Sequence, residues 1–189
     1  MPPLHYFAYG SNMLPARLLA RNVLLLGRGL PGSANGYRLI FNKRSDDGSS
    51  KANLIAAPGE ITWGVLFAVD PNTLDNLDKA EGAPGHYRRE QGIRVQTATG
   101  EVAAMTYLAQ PDKIHANPAQ PYDWYLALIL AGALGNPGIP RRWIAHLRQM
   151  VQPTSDLRRP PRKTCCDAIT QLRAAGHDNW QDLLNPEKY

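Results

Sequence analysis

Two places in the chain combine residue types and positions that chemistry could use. The first is Tyr9-Gly10-Ser11-Asn12, between a short strand read over His5–Tyr9 and a helix read from about Asn12 to Arg21. Glycine there permits an unusual backbone angle and close approach by a ligand. Ser11 or Asn12 can cap the helix that follows. Successive backbone N–H groups at such a turn form a concavity suited to an anion. An ordinary capped turn has the same sequence signature, and spacing alone does not separate the two. The second place is Glu81. A rotation of ~100° per helical residue sets Glu81 on the stripe made by Leu74 and Leu77. A helical glutamate on an apolar face is unusual. Desolvation there raises a carboxyl pKa, and the negative end of the helix pushes the same way. A raised carboxyl pKa suits a general acid/base near neutrality. A buried ion pair, for instance with Arg88 or Arg89, is the competing reading.

The remaining motifs carry less. Gly27-Arg28-Gly29-Leu30-Pro31-Gly32 matches GxGxxG after an apolar run, but a dinucleotide fingerprint needs a helix to open at the last glycine. Here Ser33-Ala34-Asn35-Gly36 and another strand follow. The five histidines never fall at metal spacing, and HExxH and GxSxG are absent. Cys165 and Cys166 are adjacent, which forbids an ordinary disulfide loop. Cys165 falls at helix spacing with Ile169 and Leu172 and reads as packing.

The elements that must position these groups follow from punctuation and periodicity. Pro15 is admissible only in the first turn of the helix after Asn12. Strands are expected at Val23–Leu26, Tyr37–Phe41, Ala52–Ala56 and Ile61–Val69, with the Asp46–Ser50 cluster as a loop. Asp70 caps a helix opened by Pro71, and Gly82 closes it. Strands follow at Tyr87–Gln96 and Val102–Leu108. After a Pro-rich loop, Pro121 opens a helix that is apolar nearly all round and hence buried. Pro140 opens another, with Trp143, Leu147 and Met150 on one face. Residues 152–163 read as a Pro/Arg linker, and Thr164 with Asp167 resembles a capping box before a last helix. Strands outnumber helices and do not alternate with them, which predicts an α+β fold with a mixed sheet.

Composition sets bounds. With 189 residues, 43% of them hydrophobic, the chain is long enough for one domain with its own core. The longest strongly apolar run, Trp124–Leu134, has eleven residues, against about 17–25 for a bilayer span. The first residues show no basic region and no h-region, so no secretory signal is expected. A cytoplasmic setting is the expectation. The net charge of +5 is local: residues 141–163 hold seven basic groups and one acidic. That segment reads as a solvated stretch or a local anionic contact rather than a basic binding face.

The two chemical features also occur together in one known pattern. Tyr6-Phe7-Ala8-Tyr9-Gly10-Ser11-Asn12 resembles the YFAYGSN loop of the γ-glutamylcyclotransferase family, and Leu77-Asp78-Lys79-Ala80-Glu81-Gly82, with Gly85-His86-Tyr87 behind it, resembles that family's LDxxEG…GxY segment. Trp63-Gly64-Val65, Tyr125 with Gly132-Ala133, and Gly138-Ile139-Pro140 resemble further landmarks in the same order. The resemblance covers roughly residues 5–150. Met13 stands where leucine is commoner, and residues 151–189 carry no family motif. What the resemblance implies is a small mixed β-barrel flanked by helices over residues 1–150; the Pro/Arg linker and helix of 151–189 lie outside the resemblance and are expected to pack on the same domain. The resemblance implies conversion of γ-glutamyl-amino acids to 5-oxoproline and a free amino acid, with no cofactor and no metal; from composition no nucleic acid and no membrane partner is expected, and a monomer or homodimer is the expected state. Glu81 matches the catalytic glutamate. Tyr6, Phe7, Ala8, Tyr9, Gly10 and Ser11 match the substrate-binding loop, and Tyr125 matches a substrate-facing tyrosine. Tyr87 and Asn12 are second-tier candidates. A cyclotransferase for γ-glutamylamines or for a special γ-glutamyl intermediate, and a non-catalytic binding module, remain as alternatives. The glutathione-specific branch fits less well, because its loop carries an apolar residue where this chain has Asn12.

Overall fold

The computed structural model describes residues 2–188. Five strands close into a barrel in the order β1-β3-β2-β4-β5: β1 Leu4–Ala8, β2 Leu30–Arg44, β3 Ser50–Val69, β4 Tyr87–Thr97 and β5 Gly100–Ala109. β1 runs antiparallel to β3, from Leu4↔Val69 to Ala8↔Val65. The barrel closes where β1 meets β5 in parallel, at Tyr6↔Met105. This is the α+β fold predicted from the element pattern, in the form of the helix-flanked barrel that the family resemblance implies.

Where proline and glycine punctuate the chain, the elements begin and end as read. Asp70 accepts a hydrogen bond from the Asn72 N–H, Pro71–Thr73 makes a 3₁₀ turn, and α2 runs Leu74–Glu81. Gly82 ends α2 in the left-handed region at φ 63°, a conformation that costs glycine little. α3, Asp123–Leu134, is buried from Trp124 to Ala133, as its unbroken apolar sequence requires. It lies against the turn at Ser11–Met13, α4 (Arg141–Gln149), α5 (Lys163–Ala174) and the 3₁₀ segment Trp180–Leu184. Cys165, Ala168, Leu172, Trp180 and Leu183 belong to the same core as the barrel.

Four local expectations need correction. The helix read from Asn12 to Arg21 divides into a 3₁₀ turn, Ser11–Met13, and the short α1, Pro15–Leu19, with no side-chain cap at either. Proline at 15 starts a helix because its missing N–H is unneeded only in a first turn. The strand read at Val23–Leu26 is irregular and touches β3 only by a bridge at Leu25↔Val69 and by Leu26 N–H to Ala68 O. Gly27-Arg28-Gly29 interrupts it before β2 resumes that edge at Leu30, so GxGxxG leads into a strand and not a phosphate-binding helix. The strands read at 52–56 and 61–69 run on as one. Pairing with β2 steps from Tyr37↔Ala56 to Asn35↔Ile61, leaving residues 57–60 outside the ladder. Finally, α5 starts at Lys163, so Thr164 lies inside its first turn; Asp167 accepts from Lys163 Nζ at 2.6 Å rather than forming a capping box.

Candidate active site

The two chemical features of the sequence, 69 residues apart, meet in space: Asn12 Nδ2 donates to Glu81 Oε1 at 2.8 Å. Around them lies a narrow cavity of about 30 Å³, lined by Tyr6, Tyr9, Gly10, Ser11, Asn12, Ala52, Glu81, Tyr87, Tyr107 and Tyr125. It has room for one small polar group. Ser11, Glu81, Tyr87 and Tyr125 also border an outer basin of about 280 Å³. Glu81 therefore stands at the junction of the two spaces.

Glu81 is held by one oxygen. Oε1 accepts from Asn12 Nδ2 and from Arg21 Nη1 at 2.9 Å, and the same Arg21 nitrogen donates to Asn12 Oδ1 at 2.7 Å. Oε2 makes no hydrogen bond within the described residues. One oxygen is anchored and the other is free for a proton. The side chain is 15% exposed, as its place on the Leu74/Leu77 stripe predicts. Its surroundings are not the apolar ones expected, since a guanidinium and an amide meet it. Nor is the partner Arg88 or Arg89. Arg88 pairs with Glu90, and Arg89 with Asp78 at 3.3 Å. Arg21 had no signal in the sequence beyond its charge: only the fold brings it across to α2.

The tyrosines divide into two kinds. Tyr9 donates to the Tyr107 carbonyl at 2.5 Å, Tyr87 to the Ala52 carbonyl at 2.8 Å, and Tyr107 to Asp78 Oδ1 at 2.6 Å. Those protons are committed. Tyr6 Oη instead accepts from Asn12 Nδ2, and Tyr125 Oη accepts from the Ala52 N–H at 3.1 Å. Both keep an O–H proton to give to a ligand. Burial is the main cause that raises all five phenols above their ordinary range, well above it for Tyr6, Tyr9, Tyr87 and Tyr107, and the charge of Glu81 adds to it, so they remain donors at neutral pH.

Gly10 is not in a left-handed conformation; its φ is −116°. Space is what it supplies, since a Cβ there would sit 3.2 Å from Ala52 Cβ and 3.6 Å from Tyr125 Oη. The 3₁₀ turn bonds Met13 N–H to Gly10 O and Leu14 N–H to Ser11 O, leaving the N–H groups of Ser11 and Asn12 outside the turn's own bonding. Of the candidates, Tyr6, Tyr9, Gly10, Ser11, Asn12, Glu81, Tyr87 and Tyr125 are brought together. Phe7 and Ala8 are not: both are fully buried and neither lines the cavity. The pleat sends Phe7 to the face of β1 opposite Tyr6, towards Gly64. Among the described residues no group of three or more histidine, cysteine or acidic side chains could hold a metal ion, and no helix is long and apolar enough to cross a membrane.

A carboxylate with one tethered oxygen, beside protonated phenols and a backbone turn, is equipped for proton transfer on a small polar substrate. Residues 61–147 match the model of the AIG2-like family. The chain is 28% identical over 156 residues to gamma-glutamylcyclotransferase of Homo sapiens and 29% identical over 151 residues to that of Bos taurus, covering 76% and 77% of each chain in the pair. A solved gamma-glutamyl cyclotransferase superposes with a TM-score of 0.72 at 25% identity, over 89% of this chain and 98% of that one. These matches support a γ-glutamylcyclotransferase-type relationship for the chain.

Proposed function

We propose that the protein is a γ-glutamylcyclotransferase that releases 5-oxoproline and a free amino acid from γ-glutamyl-amino acids. The observation that carries this reading is Glu81, anchored through Oε1 and unpartnered at Oε2, at the mouth of a cavity lined by tyrosines. The carboxylate end of the glutamyl group enters the cavity, where Tyr6 and Tyr125 donate to it. The γ-amide lies at the junction beside Glu81. Glu81 takes a proton from the α-ammonium. The freed amine attacks the γ-carbonyl carbon, forming the ring C–N bond. Glu81 returns that proton to the nitrogen of the departing amine and takes the second proton from the now cationic ring nitrogen; collapse of the tetrahedral intermediate breaks the old C–N bond, and this proton leaves with the amine as its ammonium. In this reading the N–H groups of Ser11 and Asn12, outside the turn's own bonding, receive the developing oxyanion. Holding amine and carbonyl within reach in a folded substrate supplies the proximity on which such a cyclisation depends.

The test is release of 5-oxoproline from γ-Glu-Ala by the wild type and by Glu81→Gln. The amide is isosteric and keeps an oxygen for Asn12, but it cannot carry the proton. The expected loss in kcat is roughly 10²- to 10⁴-fold. Equal turnover by the two would falsify the mechanism. No turnover by either, on any γ-glutamyl donor, would leave a binding module on the same barrel.

A further inference from the structure

The outer basin carries more positive charge than its own acids neutralise. It is bordered by Arg17, Arg21, Lys43, Lys51 and Lys79 against Asp46, Asp47 and Glu81. Arg21 is paired with Glu81, Lys51 with Asp47 at 2.7 Å, and Asp46 faces His86 at 3.7 Å. Arg17, Lys43 and Lys79 have no carboxylate within ion-pair distance among the described residues, and Lys79 is exposed to solvent. Lys43 is engaged otherwise, with Nζ 3.2 Å from His86 Nδ1 and 5.1 Å from the centre of the Tyr87 ring. Arg17 is not. Its one side-chain hydrogen bond runs from Nη1 to Gln171 Oε1 at 2.9 Å, and its Nε is buried without a partner. Burial first, then the neighbouring Arg21, push its guanidinium down to about 9, which still leaves it charged at neutral pH. A sheltered cation with most of its donors unspent and no counter-charge is unfavourable in the free protein. A planar guanidinium presents paired N–H groups that match a carboxylate.

Position decides which carboxylate. Arg17 borders the outer basin and not the tyrosine-lined cavity. With the glutamyl end in the cavity and the scissile amide at Glu81, the leaving residue extends into the basin. We infer that Arg17, held by Gln171 of α5, receives the carboxylate of the leaving amino acid, so that the protein selects γ-glutamyl-amino acids over γ-glutamylamines. This rests on the cyclotransferase reading. It also gives α5, in the segment without family motifs, a role as a specificity element: Gln171 is a positioning residue that acts through Arg17.

The test uses two substrates that differ only in the anion: γ-Glu-Ala and its C-terminal amide. The wild type is expected to favour the acid by roughly 10- to 100-fold in kcat/KM, the range of one charge-assisted contact. Arg17→Gln removes most of that preference by raising KM for the acid while kcat falls less than about threefold. Arg17→Lys retains part of the preference, because the charge remains. Gln171→Leu raises KM for the acid and leaves the amide's KM nearly where it was. A merely structural role for Arg17 would weaken both substrates alike, and that outcome overturns the inference. So does a preference for the acid that survives Arg17→Gln. If the wild type turns over the amide but shows no preference, the inference fails while the cyclotransferase reading stands. If it turns over neither, that reading fails and takes this one with it.

Discussion

At the scale of single residues the proposed mechanism depends on a proton-carrying carboxylate being steered by its neighbours. Arg21 Nη1 serves two acceptors, Asn12 Oδ1 and Glu81 Oε1, and so ties the loop to α2. Removing it leaves a half-buried carboxylate and an amide oxygen short of a donor. Arg21→Met is therefore expected to cost about 1–2 kcal/mol of stability, kept modest because the two side chains retain 21% and 15% exposure. Its larger effect is on rate, since a carboxylate free to turn no longer presents Oε2: kcat on γ-Glu-Ala should fall roughly 10- to 100-fold. Urea titration alongside steady-state kinetics measures both. A stability loss with kcat intact would show that Arg21 supports the fold and not the orientation of Glu81. Arg21 was invisible in the sequence for a plain reason. Helical periodicity placed Glu81 on the inward face of α2, but periodicity says nothing about which cation another element delivers there. Proximity in the chain points to Arg88 and Arg89, and those side chains pair elsewhere.

At the scale of elements, α3 presses directly on the loop that shapes the cavity. A Cβ added at Gly132 would lie 2.5 Å from the Met13 carbonyl carbon and 2.6 Å from the Leu14 nitrogen. Those are backbone atoms of the turn and its exit, which cannot swing away as a side-chain tip can. Gly132→Ala is expected to destabilise the fold by about 1–3 kcal/mol and to raise KM by displacing Ser11 and Asn12. Thermal unfolding and substrate titration follow the two effects; an unchanged KM would mean that the helix moves and the loop does not.

The β2–β3 connection makes a second element-level case. Asp47 Oδ1 accepts from the Ser49 N–H and hydroxyl, and Oδ2 accepts from Lys51 Nζ. Burial works against its charge, but Lys51 and these hydrogen bonds outweigh it and hold the carboxyl at about 2. A folded value below the ordinary one means that the contribution to stability is complete above the ordinary value and is lost as pH falls towards about 2. Wild type should thus lose more stability than Asp47→Asn between pH 5 and pH 3. Parallel denaturant midpoints at the two pH values measure the difference, and identical slopes would remove Asp47 from the account. β1, β4, β5, α2, α3 and the turns set by Pro71, Gly82 and Pro140 were legible because each is decided by its own residues, whereas the full lengths of β2 and β3 were not, because they are set by pairing with each other. Nor was Val23–Leu26, because whether an apolar run joins a ladder depends on the edge it meets. Of the two roles open to Asn12, cap or site residue, local sequence could not choose for the same reason: Glu81 and Tyr6 take its amide, and both arrive from elsewhere.

At the scale of the whole molecule, the cavity is assembled from β1 and its following turn, β3, α2, β4, β5 and α3. No contiguous part of the chain contains it. Tyr6, which offers its proton to the cavity, is also the β1 residue paired with Met105 where the barrel closes. The seam and the site are therefore one place. A chain in which β1 has come away from β5 lacks Tyr6 at the cavity and Asn12 beside Glu81, and so has nowhere to bind the substrate. Ligand binding and barrel closure become linked equilibria: a molecule that binds only the closed form holds the seam shut in proportion to its occupancy. At one hundred times its dissociation constant that linkage is worth about 2.7 kcal/mol. The substrate is thus also a clasp, and the first strand is most secure in the chain that is occupied.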